Sequence, residues 1–194
     1  MAVVNVPLGE RAYPIVVEPG ALARAGDLVA EQVGPPSALV VSNARIARHY
    51  APPLLASLDA RGIRASLTLI PPGDRAKSLR TASRVIDQAV AQRLERASAI
   101  IALGGGVVGD LAGFVAAIYL RGVSFVQVPT SLLAQVDASV GGKTAVNHPA
   151  GKNLIGAFHQ PRLVVIDPAV LDTLPARELR SGLAEMIKHG VVLD

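Results

Sequence analysis

The stretch SAIIALGGGVVGDLAGFVAAIYL, residues 98–120, decides the fold. It opens on a continuous apolar run, passes through three consecutive glycines and continues as an apolar segment of helical length. A buried strand that turns on glycine into a helix is the repeating unit of a parallel sheet covered on both faces. The same alternation surrounds it. SALVVS (37–42), ASLTLI (65–70), FVQVP (125–129) and RLVVID (162–167) read as strands, and helical spacing fills 44–60, 78–94 and 107–120. SLLAQVDA (131–138) reads as a short helix. Upstream, VNVPL and YPIVV flank GERA as a β-hairpin, and 21–33 has helical spacing. Past Asp167 the alternation stops. Pro175 marks a helix start, Leu179, Leu183, Met186 and Ile187 form an apolar stripe, and only a weak strand signal closes the chain. The expectation is an α/β domain over 1–170, with a parallel sheet, helices on both faces and an N-terminal hairpin. The start of an all-helical domain is expected at 171–194. The sequence stops at Asp194 inside that helical region with no capping glycine, so it reads as the N-terminal part of a longer protein.

Gly104, Gly106 and Gly109 spell G-x-G-x-x-G between a strand and a helix, the context of a dinucleotide fingerprint. Glycine there lets a pyrophosphate approach the N–H groups at a helix N-terminus. Two features depart from the ordinary Rossmann arrangement. The turn belongs to about the fourth βα unit rather than the first, and GVSFVQVPT, where the acidic ribose partner should stand, has no acid. The turn therefore reads as phosphate-binding within a non-standard Rossmann-like domain. Asp110 either caps the helix or reaches a ligand, capping being the commoner role. Asp74 and Lys77, after another strand, lie at the same sheet edge and could face a nucleotide.

Composition removes several functions. The 194 residues are 51% hydrophobic, enough for a core, and carry a net charge of +4. Fifteen arginines supply most of that charge and are scattered, without the basic stripe that nucleic-acid binding requires. A mildly basic surface favours anionic small molecules. No cysteine is present, which removes disulfides and thiol catalysis. The N-terminus lacks a signal-peptide pattern, and LAGFVAAIYL is about half a membrane span. A cytoplasmic protein with neither nucleic-acid nor membrane partner is expected.

Against those arginines stand four lysines: Lys77, Lys143, Lys152 and Lys188. A composition that replaces lysine with arginine retains lysine where a compact ammonium is required. Two of them lie in QVPTSLLAQVDASVGGKTAVNHPAGKNLIGAFHQP (127–161), which offers no obvious regular element after Ala138. So long an irregular segment in a compact domain points to a site.

Together GGGVVGDLAGF, the stretch YLRGVSFVQVPTSLLAQVDASVGGKTAVNHPAGKNLIGAFHQP and LAEMIKHG closely resemble 3-dehydroquinate synthase. The resemblance implies one bound NAD⁺, one divalent metal (usually zinc, with cobalt a possibility) and a homodimer. The implied substrate is a small anionic sugar phosphate, 3-deoxy-arabino-heptulosonate 7-phosphate. The family oxidises its C5 hydroxyl with NAD⁺, eliminates phosphate, returns the hydride, opens the ring and closes a carbocycle by an aldol step. The result is 3-dehydroquinate, an intermediate of the shikimate pathway. The wider superfamily includes other sugar-phosphate cyclases, among them epi-valiolone synthases, and glycerol-dehydrogenase-like oxidoreductases.

Carried over position by position, the resemblance places nucleotide contacts on Asp74, Lys77, Gly105, Gly106, Val107, Asp110, Thr130, Ser131, Lys143, Lys152, Thr173 and Leu174. Substrate-site roles fall on Arg121, Asp137, Lys143, Asn153 and Lys188, with Arg121 acting across a subunit boundary. Glu185 takes a metal-ligand role. All four lysines thus fall on family motif positions. Asn43 stands where the family usually has aspartate and Asp74 where it has glutamate, which bears on ribose binding. Glu185 and His189 stand at i, i+4, geometrically suited to one metal, although packing near the domain junction is the plainer reading of His189. The family's two histidine ligands lie C-terminal to this sequence, so this chain alone is expected to be inactive and to bind zinc weakly.

Overall fold

The computed structural model describes residues 1–192. Strands β1 (Ala2–Val6) and β2 (Tyr13–Val17) form the antiparallel N-terminal hairpin. A 3₁₀ turn leads into α1 (Ala25–Gln32). There follow β3 (Ser37–Asn43), α2 (Ala44–Asp59), β4 (Arg64–Ile70), α3 (Leu79–Ala91), β5 (Ala99–Gly104), α4 (Gly106–Ile118) and β6 (Ser124–Pro129). The seven-stranded sheet has the order β1-β2-β9-β6-β5-β3-β4, where β9 is Leu163–Ile166, and every pairing except β1–β2 is parallel. Strands β3 and β5 are apolar on both faces because both are covered. One face packs Leu28, Val29, Leu54 and Leu58 of α1 and α2, and the other packs Val85 of α3 with Leu111 and Val115 of α4. The expected α/β architecture is thus present.

Backbones approach closely at the α1–α2 contact. The Gly26 N–H donates to Ser57 Oγ at 2.8 Å, and a Cβ on Gly26 would lie 1.9 Å from the Ser57 carbonyl oxygen. Gly26→Ala should therefore force the two helices apart and cost about 3 kcal/mol, read as a drop in the urea midpoint.

Four local readings change. The segment after Ala138 is regular: β7 (Lys143–His148) and β8 (Gly151–Phe158) form a separate antiparallel hairpin. Its inward residues Thr144 and Val146 are buried, but β8 leaves Leu154 and Phe158 exposed. The apolar alternation that marks a strand is consequently weak there. The expected helix at 131–138 relaxes into a π-turn over Ala134–Ala138. Helix α4 stops at Ile118 rather than Leu120, because Leu120 and Arg121 take positive φ. The final weak strand signal falls on α5 (Ala176–Val192) through Val192, while Leu193 and Asp194 lie outside the described residues.

Candidate active site

The chain leaves β3 for β4 on one side of the sheet, yet β3's other neighbour is β5. Helices α2 and α4 therefore start from adjacent strand ends and run over opposite faces, as the core on each face records. Such a switch of direction opens a crevice beyond the strand ends. Here it is a cleft of about 500 Å³ lined by Asn43, Gly105, Gly106, Val107, Thr130 and Ser131, with Thr173 and Leu174 at its far wall. Asn43 caps α2, its Oδ1 accepting the Ile46 N–H at 3.1 Å. No side chain caps α4, whose first residue follows Gly105 directly. The partial positive charge of that helix end is thus left for an anionic ligand.

Asp110 does not cap α4. It sits one turn in and pairs with Lys77, which is only 5% exposed. Burial pushes the Asp110 carboxyl above its ordinary range, against the pull of the Lys77 ammonium. Lys77 Nζ also donates to Asn153 Oδ1 at 2.5 Å. Beyond this joint lies a second cleft of about 510 Å³, walled by the β7–β8 hairpin and lined by Asp110, Asp137, Lys143 and Asn153. Asp137 is presented by the π-turn, a distortion frequent at functional sites. Lys152 Nζ lies 3.0 Å from Asp74 Oδ2, and that hydrogen bond holds the Asp74 carboxyl below its usual range.

Helix α5 reaches the same region. Gly182 lets it approach the turn before Asp137, since a Cβ there would meet Leu132 Cβ at 2.5 Å. Glu185 accepts from Lys188, which keeps the Lys188 ammonium above its ordinary range. His189 Nε2 lies 3.6 Å from Glu185 Oε1 and 4.0 Å from Asp137 Oδ1. Single donor atoms of Asp137, Glu185 and His189 fall within 4.8 Å of one another. His189 therefore joins a polar cluster, which the packing reading did not anticipate. Arg121 is placed elsewhere. It follows the far end of α4, about 20 Å from Gly105 along a 13-residue helix at 1.5 Å per residue. It lines neither cleft.

A family model described as 3-dehydroquinate synthase N-terminal matches residues 67–181. The chain belongs to the 3-dehydroquinate synthase family. A 3-dehydroquinate synthase of Rhodospirillum rubrum is 54% identical over 193 residues, covering 100% of this chain and 50% of the relative. The chain thus spans about half the length of the curated relatives it matches. Among solved structures, 2-epi-5-epi-valiolone synthase from Streptomyces hygroscopicus subsp. jinggangensis, with NAD⁺ and Zn²⁺ bound, aligns at TM-score 0.82 and 35% identity over 97% of this chain and 50% of its own. A 2-deoxy-scyllo-inosose synthase complexed with carbaglucose-6-phosphate, NAD⁺ and Co²⁺ aligns at TM-score 0.88 and 25% identity, covering 97% and 52%.

Two participants escaped the 3-dehydroquinate synthase motif reading. The Tyr50 hydroxyl donates to the Val170 carbonyl at 2.8 Å, tying α2 to the link before α5. Asn147 joins the hairpin to the β4–α3 loop. Tyr50 has the helical spacing of a packing residue and Asn147 the look of a turn residue, so neither carried a chemical signal.

Proposed function

We propose that this chain is the cofactor-binding half of a 3-dehydroquinate synthase. With the rest of the protein it would convert 3-deoxy-arabino-heptulosonate 7-phosphate to 3-dehydroquinate and phosphate. The observation that carries this reading is that both clefts open on the first turns of α4. Gly106 and Val107 line the first cleft, and Asp110, one turn further on and paired with Lys77, lines the second with Asn153, Lys143 and Asp137. A dinucleotide in the first cleft and an anionic sugar in the second would meet along the start of α4. The family match and the 54% identity over the whole chain support the assignment.

In this reading Gly105, Gly106, Val107, Thr130 and Ser131 hold the pyrophosphate of NAD⁺. Asp74, Lys152, Thr173 and Leu174 hold its nucleoside ends. NAD⁺ takes a hydride from the substrate and returns it, so no net redox results. Lys143, Lys188 and Asn153 bind the substrate's anionic groups, and Asp137 orients a hydroxyl. Glu185, with Asp137 and His189 in reach, offers oxygen and nitrogen donors that suit zinc or cobalt. A divalent metal there would polarise a substrate oxygen. Arg121 serves the neighbouring subunit's site in a cytoplasmic homodimer, and the helical domain begins after residue 170.

The test has two parts. NAD⁺ titrated into this chain should bind at one site, and Lys152→Ala should weaken it about tenfold, the scale of a lost charge-assisted hydrogen bond. A chain extended to the relatives' length should release phosphate from the heptulosonate without accumulating NADH, whereas this chain alone should release none. Turnover of sedoheptulose 7-phosphate instead would assign the cyclase activity of the valiolone-synthase type.

A further inference from the structure

The β7–β8 hairpin departs from regular pairing at one place. Val146 pairs with Ile155 and His148 with Gly151, so Asn147 alone faces Lys152, Asn153 and Leu154. A bulge re-aims side chains away from the ladder. Here it sends Lys152 to Asp74 and Asn153 to Lys77. The bulge requires left-handed backbone at Asn153, with φ of 58°. Asparagine tolerates that region, but the conformation persists only where neighbours impose it.

Asn147 is the neighbour that imposes it. Its Oδ1 accepts the Asn153 N–H at 3.0 Å. Its Nδ2 donates to Asp74 Oδ2 at 3.2 Å, and its own N–H donates to the Lys77 carbonyl at 2.8 Å. One side chain and its backbone thus join the bulge to both acidic and basic members of the β4–α3 loop. Asn147 lines neither cleft.

We infer that Asn147 is a positioning residue, holding the Lys152–Asn153 bulge against the Asp74–Lys77 loop so that Lys152 stays on Asp74 and Asn153 on Lys77. Aspartate at 147 would keep the acceptor for Asn153 but set a carboxylate against Asp74. Alanine would remove both contacts. The functional half of this inference rests on the cofactor reading above.

The experiment compares wild type, Asn147→Ala, Lys152→Ala and the double variant by NAD⁺ titration, thermal melting and amide hydrogen exchange read by NMR. Asn147→Ala should speed exchange of the Asn153 amide about tenfold or more while β5 amides keep their protection. It should weaken NAD⁺ binding about tenfold, as loss of a supporting contact does. The double variant should lose clearly less affinity than the two single losses combined, because Asn147 acts in part by holding Lys152. Additive losses, an unchanged Asn153 exchange rate, or wild-type affinity in Asn147→Ala would each overturn the role of Asn147. A wild-type chain that is folded and binds no NAD⁺ would instead overturn the cofactor reading, and the functional role with it. Should Asn147→Ala fail to fold, Asn147→Asp carries the same comparison, with the loss of NAD⁺ affinity expected and the exchange change smaller.

Discussion

Lys77→Met should destabilise this chain by about 3 kcal/mol and remove measurable NAD⁺ binding, because it strips the partner from a buried carboxylate. The Lys77 side chain is 6% exposed and that of Asp110 23%, so neither charge has much recourse to water. Methionine fills a similar volume with an unbranched chain, leaving the charge change as the main perturbation. The Asp110 carboxyl already stands above its ordinary range from burial, with Lys77 pulling it down. Without Lys77 it should rise further. A carboxyl raised in the folded state binds more protons folded than unfolded, so stability falls as pH rises through the window between the two values. The deficit of Lys77→Met should accordingly be largest near neutrality and shrink in acid, once Asp110 is protonated in the fold. Urea midpoints at several pH values measure this. Adding Asp110→Asn removes the unpaired charge and should restore much of the loss. If Lys77→Met and the double variant are equally destabilised at every pH, packing rather than charge explains the defect.

The central strands β3, β5, β6 and β9 were readable because they are buried on both faces. Runs such as AIIALG have no exposed side to dilute the pattern, and β5 and β6 end at Gly104 and Pro129. The β7–β8 hairpin was not readable for the opposite reason. Its strands alternate only on β7, and Lys152, Asn153 and Leu154 interrupt the ladder on β8. The residue types of the site were legible as well. Scarce lysines and a triple glycine are chemical signals that survive without coordinates. The partnerships were not. Lys77 and Asp110 are 33 positions apart, and Lys77 and Asn153 are 76 apart. The packing of α3, α4 and the β7–β8 hairpin on one face of the sheet brings them together. Asp110 looked like a cap because sequence places it just after the glycines. The structure starts the helix at Gly106, leaving the carboxylate one turn inside, facing Lys77.

The glycines of the turn divide by what a side chain would meet, and that division predicts the largest effect on the cofactor alone. A Cβ on Gly104 would strike Val108, one on Gly109 the Gln127 amide, and one on Gly113 Thr144 and Phe125, all under 3.0 Å. Those three glycines are required by packing, although Gly104 and Gly109 spell the ends of the fingerprint. Gly105 differs. Its φ of −78° and ψ of −174° are extended backbone open to any residue, and its Cβ would meet only the Ser131 hydroxyl at 3.3 Å, which can rotate aside. Nothing in the fold requires glycine there, yet it borders the cleft at the uncapped start of α4. Gly105→Val should therefore melt within a few degrees of wild type, since a surface change without strain costs about 0.5 kcal/mol or less. The same methyl groups would occupy the path of a pyrophosphate to the helix N-terminus, and NAD⁺ affinity should fall about 100-fold or more, the scale of a ligand displaced by about 1 Å. Gly109→Val should do the reverse in order of severity, losing stability first. Calorimetric titration and melting of the two variants side by side separate these outcomes. Wild-type affinity in a folded Gly105→Val chain would mean that the turn shapes the sheet edge and that the dinucleotide, if bound, lies elsewhere.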